Sequence, residues 1–346
     1  MRKLFVFSIV LANLFVFNNL KAQDPQFSQF YAAPLYINPA FTGASEYTRL
    51  GINYRNQWPN LESSFTTFSF YADHFLQKYN SGIGLIVTSD TEGSVGLKST
   101  NVGLSYAYQL RISENLVFRP GIQYNMFTRN IGFQDLVFAN QIDPITGVVT
   151  GPATDPSVIN GMESISFGDI SVGGIFYSRS VFLGAAVQHL SEPNQSFIEG
   201  GNSPLPQRMT IHGGIKIPLG QGPLRKDLTY TYAERSITPV FQYKTQGKFS
   251  QLDVGAFVHL EPINLGVHYR GVPFKQFENF PNNEAIIFSL GVTTNNFNIG
   301  YSFDYTISEL GIEVGGAHEF SMSYFLDFNK PSRVPRSRWR IPCPKN

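Results

Sequence analysis

In residues 101–110 every second side chain is apolar or aromatic. Val102, Leu104, Tyr106, Tyr108 and Leu110 alternate with Asn101, Gly103, Ser105, Ala107 and Gln109. Successive side chains of a strand point to opposite faces, so a period of two predicts a β-strand with one apolar and one small, polar face. Phe297, Ile299, Tyr301, Phe303 and Tyr305 repeat the pattern against Asn298, Gly300, Ser302 and Asp304. So do Phe320, Met322, Tyr324, Leu326 and Phe328, and so do Ile286, Phe288, Leu290 and Val292 opposite Ser289, Gly291 and Thr293. The chain holds fourteen such segments, near residues 47–57, 65–75, 82–89, 98–111, 116–130, 166–178, 181–190, 208–218, 235–245, 249–260, 263–270, 285–294, 297–307 and 316–328.

A soluble sandwich also alternates, but its polar face meets water and carries many Lys and Glu. Here the polar face is Gly, Ser, Asn and Thr with scattered charges, which suits a barrel lumen. The connections supply a second test. Those at 77–81, 112–115, 179–180, 261–262 and 295–296 are tight, and those at 58–64, 90–97, 131–165, 191–207 and 271–284 are longer. Length thus alternates with strand number, as in an outer-membrane barrel with short periplasmic turns and long external loops. Two connections break the phase: 219–234 is long where a turn is expected, and 246–248 is short where a loop is expected. The reading is an all-β, transmembrane, antiparallel up-and-down β-barrel of about fourteen strands.

Composition agrees. Charged residues are 15% of the chain, below the roughly 25% of soluble domains. Aromatics reach 14%, with 31 Phe and 17 Tyr against 2 Trp, as lipid-facing girdles require. A net charge of +1 gives no general argument for nucleic acid or an acidic substrate. Cys343 is the one cysteine, so no disulfide forms within the chain. Arg2 and Lys3 followed by an apolar stretch over 4–17 read as a secretory signal peptide, 1–22, cleaved after Ala22. Beyond it no apolar run approaches the 18 or more residues of a helical span. The remaining chain divides into an aromatic, Pro-rich lead-in (23–46), the barrel (47–328) and a basic C-terminal tail (329–346).

Little catalytic chemistry is legible. The six histidines, His74, His189, His212, His259, His268 and His318, share no metal-ligand spacing. By alternation His259 and His268 face the lumen, as an acid–base pair or an ion site or, more simply, as polar residues paired with neighbouring carboxylates. There is no Gly-x-Ser-x-Gly elbow, and the many strand glycines read as close-packing or lumen positions. Asp135, Asp143, Asp155 and Glu163 fit no regular ion-binding loop and read as a solvated external segment. No cofactor is expected. The flanking pieces carry more. Phe27, Phe30, Tyr31, Tyr36 and Phe41 are too many for a free tail and too interrupted by Pro34 and Pro39 for a strand. They form either a lumen plug or a cap at the rim. Arg333, Arg336, Arg338 and Arg340 lie in a tail with no acidic residue, either a docking element for an acidic partner or a solvated terminus.

Residues Asp24-Pro25-Gln26-Phe27-Ser28-Gln29-Phe30-Tyr31, then Pro34-Leu35-Tyr36-Ile37-Asn38-Pro39-Ala40-Phe41-Thr42-Gly43, resemble the start of the PorP/SprF family. Tyr54-Arg55-Asn56-Gln57-Trp58 and the closing Cys343-Pro344 extend the resemblance over the mature chain. It implies an outer-membrane component of the type IX secretion system of the Bacteroidota, without enzymatic activity. It also implies partners: a secreted protein or large surface adhesin with a C-terminal sorting domain, translocon or periplasmic motor-associated components, and outer-membrane lipid, with a link to gliding motility in some species. Both the core branch and the adhesin-dedicated branch of the family stay open. The expected site is thus one of partner binding: Phe27, Phe30, Tyr31, Tyr36, Phe41 and Trp58, the tail arginines, and loops 131–165, 191–207 and 271–284, with both termini periplasmic. A porin-like or hydrophobic-compound channel and a barrel hydrolase are the alternatives.

Overall fold

The computed structural model describes residues 24–326 and 341–344, apart from 46, 62–63, 94–95, 133–136, 138–140, 144–145, 150–160, 220–221, 224–231, 234, 278–279 and 295. The signal segment and the tail residues Arg333, Arg336, Arg338 and Arg340 therefore lie outside the described residues.

Fourteen antiparallel strands form the wall: β1 (Thr48–Gln57), β2 (Phe65–Leu76), β3 (Ser81–Glu92), β4 (Leu97–Tyr108), β5 (Val117–Asn130), β6 (Ser164–Tyr177), β7 (Val181–Gln188), β8 (Arg208–Ile215), β9 (Arg235–Gln246), β10 (Phe249–Leu260), β11 (Ile263–Phe277), β12 (Phe280–Thr293), β13 (Phe297–Thr306) and β14 (Ala317–Leu326). Each pairs with its sequence neighbours, and β14 returns to β1 from Thr48↔Leu326 to Gln57↔Ala317, closing the barrel. Closure leaves the wall with no edge strand, which lets a sheet cross a bilayer.

Burial is inverted relative to a soluble protein. Leu104 is 63% exposed and Phe288 50%, whereas Asn53, Ser69 and Ser302 are at 0%. The apolar positions of the alternation point outward to lipid and the small polar ones point into the lumen, as expected. Among the described residues no helix is long and apolar enough to span a membrane.

The two irregular connections are genuine, not a miscount of strands. β9 and β10 are joined by Gly247 and Lys248 alone, and the link from β8 to β9 is long. The expected loop 271–284 is corrected: β11 and β12 continue through most of it as a hairpin beyond the wall. Backbone pairing inside the segment escaped a reading based on alternation, which the bulge between Val272 and Gln276 breaks. We call the mouth carrying the tight connections the turn end and the other the loop end.

Candidate functional site

Residues 24–45 run through the barrel. Asp24 lies at the loop end, and the chain descends to leave at the turn end, where β1 begins. Its middle is a short α-helix, α1 (Pro34–Ile37), between 3-10 turns at Phe30–Ala32 and Pro39–Phe41. Pro34 and Pro39 take the first positions of their turns, where a missing N–H costs nothing. Asn38 caps the second turn, accepting from the Ala40 N–H at 2.9 Å. The same side chain donates to the carbonyls of Ala185 (3.1 Å) and Gly174 (3.3 Å), fixing the turn to the wall. Phe30, Tyr31, Ile37, Ala40 and Phe41 are buried against Val117, Ile175, Phe182, Val240 and Phe257. Burying each large apolar side chain contributes about 1.5–3 kcal/mol. The lead-in aromatics Phe30, Tyr31 and Phe41 thus pack against the inner wall.

Wall glycines make the fit possible. A Cβ at Gly121 would lie 2.4 Å from Ala40 N, and one at Gly82 would lie 2.0 Å from the Thr42 oxygen. Arg119 then clamps the segment, donating to the carbonyls of Ala40 (3.2 Å) and Thr42 (2.5 Å), while Asp73 accepts from the Gly43 N–H at 2.7 Å.

Closer to the loop end a charged frame holds Ser28 and Gln29. The Glu319 carboxylate accepts from both backbone N–H groups, at 2.6 and 3.1 Å. Arg55 bonds Asp304 (2.9 Å) and the Ser28 hydroxyl (2.6 Å), and Arg270 joins Asp304 (3.0 Å) to Asp253 (2.7 Å). All five charged groups are almost fully buried, so each depends on its partners. Two parts of the family-like sequence thus meet in space, Ser28-Gln29 and Arg55.

Asp24 ends the described lead-in between His189 Nε2 (2.7 Å) and Arg208 (3.1 Å), and His189 Nδ1 faces Asp169 at 3.0 Å. Burial opposes charge on Asp24, but His189 and Arg208 hold its carboxyl well below the ordinary range. Burial likewise disfavours the imidazolium of His189, yet Asp24 and Asp169 outweigh it and raise the group to about 9. Tyr36 stacks under the Arg208 guanidinium, 4.6 Å from its ring centroid.

At the turn end, Ile341 and Cys343 pack on the plug's apolar cluster. With Tyr31, Phe41, Tyr47 and Phe325 they bound a cavity of about 500 Å³. The described ends therefore lie at opposite mouths, Asp24 at one and residues 341–344 at the other. The expected periplasmic placement of both termini concerns chain ends that lie outside the described residues.

The five lead-in aromatics come together inside the barrel, and Trp58 does not join them. Trp58 stands at the loop-end rim, its backbone N–H donating to the Gly316 carbonyl (2.7 Å) and its ring 5.4 Å from Phe65. His259 and His268 do face the lumen but form no acid–base pair. His259 contacts Asn264, and His268 packs on Phe257 and Phe30. The charged frame was missed, although isolated charges on the small-residue face, such as Asp304 between Ser302 and Thr306, are its sequence trace. Among the described residues no three His, Cys, Asp or Glu side chains are placed to hold a metal.

A family model described as the type IX secretion system membrane protein PorP/SprF matches residues 19–324. No curated protein matches the chain. Among solved structures the barrel is similar to the Acinetobacter baumannii outer membrane protein Omp33, at 7% identity over 81% of this chain and 98% of that one, with a TM-score of 0.43. It is also similar to the P. putida toluene transporter TodX, at 10% identity over 85% and 93% with a TM-score of 0.43. A Pseudomonas aeruginosa FadL homologue shares 12% identity over 84% and 94%, with a TM-score of 0.39. These likenesses are of outline and carry no argument about function.

Proposed function

Because the chain belongs to the type IX secretion system membrane protein PorP/SprF family, we propose that it serves that system by binding, not by catalysis or open conduction. The turn end faces the periplasm and the loop end the cell surface, following the usual disposition of short turns and long loops. At the loop end the rim around Trp58 and the external segments 131–165, 191–207 and 271–284 grip a secreted protein or surface adhesin through its sorting domain. At the turn end the tail, with Arg333, Arg336, Arg338 and Arg340, engages translocon or motor-associated components. Phe27, Phe30, Tyr31, Tyr36 and Phe41 act by seating the plug between those two surfaces. Retention of an adhesin at the surface would connect the protein to gliding.

The observation that supports this most is the filled lumen. A chain that threads its own barrel and is bonded to the wall at several levels leaves its two mouths as the surfaces a partner can reach. The test is cross-linking and affinity capture of the intact protein from native membranes. Recovery of a type IX substrate at the loop end, or of a translocon component at the turn end, is expected. Recovery of neither, together with steady wild-type ion conductance in planar bilayers, would replace this reading with a porin.

A further inference from the structure

In the loop-end half of the lumen the inner faces of β3 to β6 carry a second constellation, opposite the start of the lead-in. Their lumen-facing residues fall into rows: Asp90, Ser99 and Arg129 nearer the mouth, then Asn101, Phe127 and Phe167. Against the lead-in at Asp24 and Tyr36 they line a cavity of about 60 Å³. That is room for roughly two waters or one side-chain head group, and too little for a sugar ring or an acyl chain. Glu92 ends β3 above Asp90 and keeps 23% of its side chain exposed, which marks the way in from the mouth.

The unsatisfied groups of the lining indicate what it receives. Asp90 is 4% exposed, and among the described residues it accepts from the Thr67 hydroxyl at 2.5 Å but forms no ion pair. Glu92 is close enough to share a proton with it, and Arg129 stands 3.8 Å from Glu92. Asp24 does not add to this acidic surplus, because His189 and Arg208 match it. Below the acid pair, Gln123 and Asn101 both donate to Asn125 Oδ1, at 2.7 and 3.4 Å, so their own carbonyl oxygens turn away from it. Neither of those oxygens has a donor, and Gln123 is itself 4% exposed. Gly103 leaves room for the cluster, since a Cβ there would lie 2.5 Å from Asn125 Oδ1. Phe127 and Phe167 stack beside it with centroids 5.3 Å apart. Against these acceptors, the unpartnered donor among the described lining residues is Arg129 Nε. This balance suits a compact cation rich in N–H groups. A guanidinium is planar, carries five donors, matches carboxylates in a fork and stacks on rings.

We infer that this cavity receives an arginine side chain of the exported protein, with Asp90 and Glu92 taking its charge, the Asn101 and Gln123 carbonyls beneath it and Phe127 along its face. The inference rests on the reading that the loop end binds a secreted protein, and it names one anchor of that contact. The full-length protein in lipid nanodiscs is titrated with the purified C-terminal sorting domain of a type IX secreted protein from the same organism. The bound domain is then challenged with N-acetyl-arginine amide and with N-acetyl-citrulline amide, its uncharged isostere. The test variants are Asp90→Asn, which keeps an acceptor for the Thr67 hydroxyl, and Glu92→Gln, at the more exposed carboxyl. Unchanged thermal melting would verify that each variant folds.

A loss of about tenfold or more in sorting-domain affinity in D90N and in E92Q is expected when a charge-assisted hydrogen bond goes unmade. Displacement of the domain by the arginine amide and not by the citrulline amide is expected with it. Full affinity in both variants overturns the inference but leaves the proposed function standing, since the domain is then held elsewhere. Equal displacement by the two amides overturns it in favour of an uncharged guest. A wild-type protein that does not bind the domain overturns both the inference and the reading on which it rests.

Discussion

Alanine at Gly121 should unseat the plug while leaving the wall intact. Gly121 pairs through its backbone with Ala107 on β4 and Gly173 on β6, and a methyl group does not interrupt those ladders. On the lumen side, however, the new Cβ would stand 2.4 Å from Ala40 N, 2.5 Å from Pro39 C and 2.7 Å from Ala40 Cα. All three are backbone atoms of the second 3-10 turn, so no side chain can rotate aside. To reach ordinary contact at 3.4 Å the turn must retreat by about 1 Å. That carries the Ala40 carbonyl, now at 3.2 Å, out of reach of Arg119. Overpacking of about 1–3 kcal/mol and loss of a charge-assisted hydrogen bond of about 1.5–3 kcal/mol together cost the seated plug about 3–6 kcal/mol.

Gly300→Ala is the matched control, because its Cβ meets the ends of Gln29 and Ser321 side chains, which can move. The assays are conductance in planar bilayers and protease accessibility of residues 24–45. G121A should conduct and be cut while its barrel melts near the wild-type temperature, and G300A should resemble wild type. Equal protection and conductance in wild type and G121A would refute the reasoning. So would equal opening in the two variants.

Replacing Arg55 by Ala leaves Glu319 and one side of Asp304 buried without their cation, a change of about 3–5 kcal/mol against the seated plug. It should appear as protease cutting near Ser28 at temperatures where the wild type resists, and unchanged cutting would discount the frame. The contact between Asp24 and His189 also sets a pH dependence. The folded His189 is raised to about 9, so its contribution is complete below the ordinary histidine value and is lost as pH rises through about 9. The depressed Asp24 contributes above the ordinary carboxylate value and is lost only in strong acid. Hydrogen exchange near Asp24 should therefore be slow at pH 5–7 and accelerate above pH 9. In His189→Gln that alkaline step should vanish, and a step surviving there would assign it to another group.

The sequence alone determined the wall. All fourteen strands lie where the alternation of residues such as Leu104, Phe288 and Met322 places them, because a bilayer outside and a narrow lumen inside impose opposite demands on successive side chains. Lipid requires the apolar face over the whole outer band, so the signal repeats in every strand. It also carried the lead-in aromatics as candidates, since so many rings are too costly to leave in water. It did not decide between plug and rim, because that choice depends on contacts between residues far apart in the chain: Gly121 against Ala40, Gly173 against Asn38, Glu319 against Ser28. Each of these residues looks ordinary in its own segment. The hairpin at 271–284 was hidden for a related reason, since beyond the membrane neither face is forced to be apolar and pairing continues without alternation. Only closure of the barrel, which brings β14 against β1 and sets every lumen face toward one axis, turns scattered glycines and isolated charges into a socket that holds the chain's own beginning.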